Sequence, residues 1–441
     1  MIDRMQAIQA IQAIQSIKKY SPGFVALFIV IVLVLIGVIV YGIVYATQRY
    51  SVLATPSNIQ RIIDAQGLIL SDQYQNLSSN MQAASRLWSG VPTNQQLLIN
   101  MNMTGVRLSG YLGPFLDGVF AEDKAVSTAL MTGARVFFID IDVDGVTGKP
   151  TLVYRDTTGY VKSLNNGSIK KVAKAINDRA FSMYSSSVPT DLRGLPMIVV
   201  LYFHSTPDIV QNPNKYINFL IEVSKQIQDI QPNLLAQTAQ GDFRRQAIDT
   251  QLFFQPMATY KNKIILLCNV DTSILRNSRD YGVPDLGQGG DLDLLVNARL
   301  YSQQSGSSFG ATSVVKGTSP PAAIITTADY FINMPPENRS DAILLTKKCF
   351  TITMNPDPTV LTDKDTLDKI IGQYGVHCNP FVHFMNMKDL APYLAIGNLY
   401  EKSSVLAKPQ QLRFVPPTDI ITQVPNSNMN TQGGFIRLSN I

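Results

Sequence analysis

Gly133-Ala-Arg-Val-Phe-Phe-Ile-Asp-Ile-Asp142 is the stretch on which the fold turns. From Val136 it is apolar, β-branched and aromatic until its carboxylates, as in a strand covered on both faces of a parallel sheet. Pro150–Tyr154, Met197–Phe203, Lys263–Val270, Ala323–Thr326, Phe350–Met354 and His377–Phe384 share this composition. Helical patterning lies between them, over Ala121–Met131, Ile169–Arg179, Lys215–Ile230 and Lys364–Gln373. Asn214 can cap the third of these helices, and Pro232 stops it. Such alternation from Leu97 to about Leu399 predicts an α/β fold with a parallel sheet, open or closed into a TIM-type (β/α) barrel. Arg276–Pro321, rich in Gly, Ser and Gln, reads as a long irregular insert.

Upstream, Phe24 to Ala46 carries no charge, no proline and only two glycines, Gly37 and Gly42. A helix crosses a hydrocarbon core of ~30 Å in about 20 residues and satisfies its own backbone there. Residues such as Phe24, Ile31, Leu35, Ile39 and Tyr45 would meet lipid. A signal peptide has a shorter apolar core and a small-residue cleavage site, which this run lacks. The run therefore predicts one transmembrane helix, with the lipid bilayer as a partner. Arg4, Lys18 and Lys19 precede it, against Arg49 and Arg61 after it. The positive-inside rule then puts the N-terminus in the cytosol or interior and the large domain outside.

The chain divides into a short helical repeat segment (1–23), the span (24–46), a helical stalk or linker (47–96), the barrel (97–400, insert about 276–321) and an extended tail (401–441). In the first, the Gln-Ala-Ile triplets place Ile8, Ile11, Ile14 and Ile17 around half a helix cylinder. In the stalk, Tyr74, Leu77, Met81, Ala84 and Trp88 form one apolar face, suited to packing on the following domain. Basic and acidic residues are interspersed without a Lys/Arg block, which argues against nucleic acid. Three cysteines (Cys268, Cys349, Cys378) make no disulfide framework. Three histidines (His204, His377, His383) limit acid–base chemistry.

Asp140-Ile-Asp142-Val-Asp144-Gly145 looks like the opening of an EF-hand loop, but the twelfth position is Thr151, not a bidentate Glu. Alternation puts Asp140 and Asp142 on one face at a strand's C-terminal end, where barrel active sites collect. Two readings stand: a metal or phosphate-ester site, or a solvated strand end. Gly148-Lys-Pro-Thr151 lacks P-loop spacing. Neither G-x-S-x-G nor H-E-x-x-H occurs.

The order of segments resembles the phosphatidylinositol-specific phospholipase C-like phosphodiesterases, which are TIM-type barrels. Leu98-Ile-Asn-Met-Asn-Met-Thr-Gly is similar to that family's first strand with its His-Asn-Thr-Tyr turn. Gly133–Asp142 resembles the strand that ends in a Glu-x-Asp metal pair. Lys149-Pro-Thr-Leu-Val-Tyr154 resembles the family's Glu-Pro-x-x-Tyr-His-Gly segment. Pro196-Met-Ile-Val-Val-Leu-Tyr-Phe-His204-Ser is similar to the next strand, and Tyr374-Gly-Val-His-Cys-Asn-Pro-Phe-Val-His-Phe to a late one.

The resemblance implies two catalytic histidines. The first would lie near Asn102 and is missing. The second would follow Tyr154, where Arg155-Asp156 stands. A third-strand Glu ligand would fall near Tyr202. His204 matches a family histidine outside that pair, and neither His377 nor His383 lies where the pair belongs. Asp140 and Asp142 would keep part of a metal site, Arg155 would bind an anion, and no residue is assigned as catalytic. No cofactor is expected beyond calcium at a residual site.

The expectation is thus a membrane-anchored structural or interaction protein on a catalytically degenerate barrel. Its barrel loops and tail would contact other proteins of an assembly, as in a minor capsid or capsid–membrane linking protein in the virion membrane of a large DNA virus. The alternatives are an active metal-dependent phosphodiesterase using Asp140, Asp142 and His204, and a phosphoinositide or headgroup-binding module using Arg155.

Overall fold

The computed structural model describes residues 22–80, 90–113, 116–156, 158–181, 194–235, 251–277, 292–303, 309, 313–314, 321–358, 360–382 and 405–416. His383 and the repeat at residues 6–17 lie outside them. The strands are β1 (Met101–Met103), β2 (Gly105–Val106), β3 (Tyr111–Leu112), β4 (Val119–Phe120), β5 (Val136–Val143), β6 (Pro150–Leu152), β7 (Met197–Phe203), β8 (Ile264–Cys268), β9 (Ala298–Ser302), β10 (Ala323–Thr326), β11 (Phe350–Thr353) and β12 (Val405–Ala407). The helices are α1 (Pro22–Leu53), α2 (Pro56–Asn80), α3 (Glu122–Met131), α4 (Ile169–Ala180), α5 (Pro213–Gln226), α6 (Leu292–Leu295), α7 (Asp329–Ile332), α8 (Arg339–Lys348) and α9 (Lys364–Gly372).

Seven strands pair in parallel in chain order: β2, β5, β7, β8, β9, β10, β11. Residues 376–382 close the ring. On one side His377 N–H donates to Thr351 O and Thr353 N–H to Cys378 O, both at 3.0 Å. On the other, Phe381 N–H donates to Gly105 O at 3.1 Å and Arg107 N–H to Phe381 O at 3.0 Å. The bridges Ile352↔Cys378 and Val106↔Phe381 are both parallel. The fold is therefore an α/β TIM-type barrel, with this segment as its eighth stave. At the seam only glycine fits at 105, since a Cβ there would collide with Cys378 Sγ and crowd Pro380.

The buried strands are those whose sequences are continuously apolar. β7 is buried at every position, as are β8 and β10. The helices lay apolar stripes on them. In α5, Pro213 sits in the first turn, and Tyr216, Phe219, Leu220 and Val223 recur at three- and four-residue steps. Ser168 caps α4 by accepting from Lys171 N–H at 3.3 Å, and Asp363 caps α9 by accepting from Thr366 N–H at 2.9 Å.

Asn214 lies inside α5, whose N-cap position is Asn212. Three further expectations need correction. Pro150–Tyr154 is not a stave: β6 pairs antiparallel with the end of β5, because its chain turns back through the 144–148 loop. The insert contains a stave, β9, whose Arg299 and Tyr301 are half-buried, so it lacks a continuous apolar run. The first stave is β2, not the segment at Leu98. β1 instead pairs antiparallel with β12 across the barrel floor. Asn102 sits there, 2% exposed, with its amide donating to Val376 O. It is remote from the mouth.

α1 includes one stretch, Pro22–Tyr45, long and apolar enough to cross a membrane, with none of it buried against the protein. Phe24, Ile31, Leu35, Ile39 and Tyr45 are all exposed. α2 then runs against the barrel, with Ile62 and Gln66 beside Gly113. The three cysteines are buried and free.

Candidate functional site

The C-terminal ends of β2, β5, β7 and β11 converge on Arg107, which is 2% exposed. Arg107 leaves β2 and points at β5, where its Nη2 meets Asp140 Oδ1 at 3.2 Å. Its Nη1 donates to Asn355 O at 2.6 Å, beyond β11. Its guanidinium lies over the Tyr202 ring, 5.7 Å from the centroid. Tyr202 occupies the place where the resemblance implied a Glu ligand.

Asp140 has both oxygens engaged. Oδ1 also accepts from His204 Nε2 at 3.0 Å, and Oδ2 accepts from Leu108 N–H at 2.8 Å. Burial alone would raise this carboxyl, but Arg107, His204 and Leu108 outweigh it and hold it below the ordinary range. Leu108 adopts φ +50°, a left-handed backbone that is costly for a leucine. The strain sits where the N–H must turn inward to meet Asp140.

Asp142 lies one step outward. It accepts from Val143 N–H at 2.8 Å and from Ser205 Oγ–H, and pairs with Arg155 Nε at 2.9 Å. Arg155 Nη1 also donates to Gly159 O at 3.3 Å. The residues to which the sequence assigned metal and anion binding are therefore partners of one another. Asp144 forms a turn, accepting from Val146 N–H at 3.0 Å and Thr147 N–H at 2.6 Å.

Calcium takes about six to eight oxygens in an open shell. Here a guanidinium and an imidazole stand on Asp140, and another guanidinium stands on Asp142. Among the described residues no three His, Cys, Asp or Glu side chains gather as a metal group. These residues do not fit a calcium site. Beside Arg107, Asn355, Asp357, Asn379 and Phe381 line a cavity of about 10 Å³. That is no larger than a single water needs.

Asp140 is thus held by Arg107 and His204, and Asp142 by Arg155, in two ion-paired groups at the end of β5. His377 lies at the opposite end of the barrel. Arg107 was missed, although it is the only charge between Leu87 and Leu116. A lone charge in so apolar a stretch is the signal that could have found it.

No family model and no curated protein matches the chain. Among solved structures, PLC21 of L. pealei is 16% identical, with TM-score 0.47 over 76% of this chain and 40% of that one. PLC21 of S. officinalis is 14% identical, with TM-score 0.44 over 74% and 40%. A Ca-dependent phosphatidylinositol-specific phospholipase C from Streptomyces antibioticus is 10% identical, with TM-score 0.39 over 71% and 99%. The chain spans 40% of the length of each PLC21 chain.

Proposed function

We propose that this chain is a membrane-anchored structural or interaction protein on a phospholipase-C-like barrel that has lost catalysis. The observation that carries this reading is the Arg107–Asp140 pair, which fills the mouth where substrate and metal would meet. Ligand pockets run to hundreds of Å³, against about 10 Å³ beside Arg107. The resemblance calls for histidines near Asn102 and after Tyr154; neither is present, Arg155 stands at the second place, and Arg107 follows the first stave. An arginine cannot act as general base near neutral pH. α1 supports the anchor. The setting we propose is a capsid–membrane linker in the virion of a large DNA virus, with loops and tail contacting neighbouring proteins.

The test uses full-length protein in detergent micelles, with phosphatidylinositol and a soluble inositol phosphodiester, with and without calcium. No hydrolysis above background is expected. Calcium-dependent turnover abolished by Asp140→Ala or His204→Ala would overturn the reading in favour of a divergent enzyme. Binding to phosphoinositide vesicles that is lost in Arg155→Ala, without turnover, would replace it with a headgroup-binding module.

A further inference from the structure

The barrel floor holds a buried lysine–imidazole contact remote from the mouth. Lys408 follows β12 in a strap, residues 405–414, that crosses the floor. Asn100 clamps the strap's end: its Oδ1 accepts from Phe414 N–H at 2.7 Å and its Nδ2 donates to Phe414 O at 2.8 Å. Lys408 and His377 are both 0% exposed. Lys408 Nζ lies 2.9 Å from Thr346 O and 2.7 Å from His377 Nε2.

Hydrogen counting fixes the charge of this pair. His377 Nδ1 accepts from Thr351 N–H at 2.9 Å, so that nitrogen carries a lone pair. The ring hydrogen is therefore on Nε2, where Ile99 O at 2.8 Å and Lys408 Nζ share it as a three-centre contact. A 2.7 Å contact between Nε2 and Nζ needs one lone pair, and Nε2 has none to give. Nζ must supply it, as a neutral amine.

The surroundings favour neutrality. Lys347, on α8, raises the positive potential at Lys408. Arg413, on the strap itself, donates from Nε to Lys408 O at 2.6 Å. The Phe350 ring packs 4.7 Å from the imidazole. Among the described residues no carboxylate hydrogen-bonds either group. Burial, then Lys347, pushes the Lys408 ammonium well below the ordinary lysine range. Burial likewise holds the His377 imidazole well below the ordinary histidine range.

We propose that Lys408 is seated as a neutral amine against His377 and makes the 405–414 strap a proton-operated latch, which falling pH releases from the barrel floor. A detached Lys408 titrates near the ordinary ~10.4 and binds one proton more than the docked one. Docking therefore strengthens as pH rises and weakens about tenfold per unit as pH falls through neutrality. Below about 6.5 a freed His377 takes a second proton, and the slope approaches a hundredfold per unit.

The test is amide hydrogen exchange on the full chain in micelles from pH 6 to 9, expressed as protection factors corrected for intrinsic exchange. Strap and β1 amides should lose about tenfold protection per unit toward acid, while Val199 in β7 stays constant. Lys408→Met, uncharged and of similar length, should flatten the strap's dependence. Equal strap protection at pH 6 and pH 9 in the native chain would overturn the proposal. So would an unchanged slope in Lys408→Met. Should that variant not fold, side-chain NMR of the native chain decides. A neutral Lys408 amine at pH 7 supports the latch, and an ammonium signal there refutes it.

Discussion

Arg107 and Asp140 each make the other tolerable in a buried mouth. Removing one partner strands a buried charge, which costs about 3–5 kcal/mol, whereas replacing both by apolar groups is often neutral. Arg107→Met should therefore lower stability by about that amount in urea titrations near pH 7. Adding Asp140→Leu should restore much of it. The Asp140 carboxyl is held below its ordinary 3.8 in the folded chain. Its stabilisation is present above that value and lost as pH falls through the depressed one. The Arg107→Met deficit should accordingly shrink toward pH 3, and a deficit unchanged from pH 7 to pH 3 would contradict this account. Asp140, Asp142 and His204 were legible in the sequence because polar groups ending an apolar strand stand out. Their mutual neutralisation was not. It depends on Arg107, which enters from a stave 33 residues away, and no local period reports such a pairing.

At the scale of elements, legibility followed length. β5, β7, β8, β10 and β11 are buried runs of apolar, aromatic and β-branched residues and could be read directly. β2 has two residues, Gly105 and Val106, too few to show any period. β9 alternates and hides in a Gly/Ser-rich stretch. The eighth stave was visible only as His377–Phe384, and its pairing came from the ring. The helix starts are local and make a clean prediction. Ser168→Ala and Asp363→Ala each remove a side-chain acceptor from a first-turn N–H. Each should lower the thermal midpoint by an amount corresponding to about 1 kcal/mol. The losses should add, because the two caps serve different helices. A double variant as stable as the native chain would show that neither helix depends on its cap.

For the molecule as a whole, the seam between the first and eighth staves decides whether the sheet is a ring or an open curl. Gly105→Val drives two methyl groups into Cys378 and Pro380. Overpacking of this kind costs about 1–3 kcal/mol. The exchange protection of the Arg107 and Phe381 amides should fall with it, while the β7–β8 ladder keeps its own. Uniform loss across all staves would mean that the ring opens only by global unfolding.

Ring closure also sets the order of events during synthesis. The apolar α1 leaves the ribosome before any stave of the barrel has emerged. β2 follows soon after, but its outer edge finds its partner only when Phe381 emerges, some 275 residues later. At about 5–20 residues per second the wait lasts roughly 14–55 s. Throughout it, the nascent barrel presents an unpaired edge, open to mispairing with whatever strand is nearby. A two-residue stave is well suited to that interval, because it offers a stray strand little to hold.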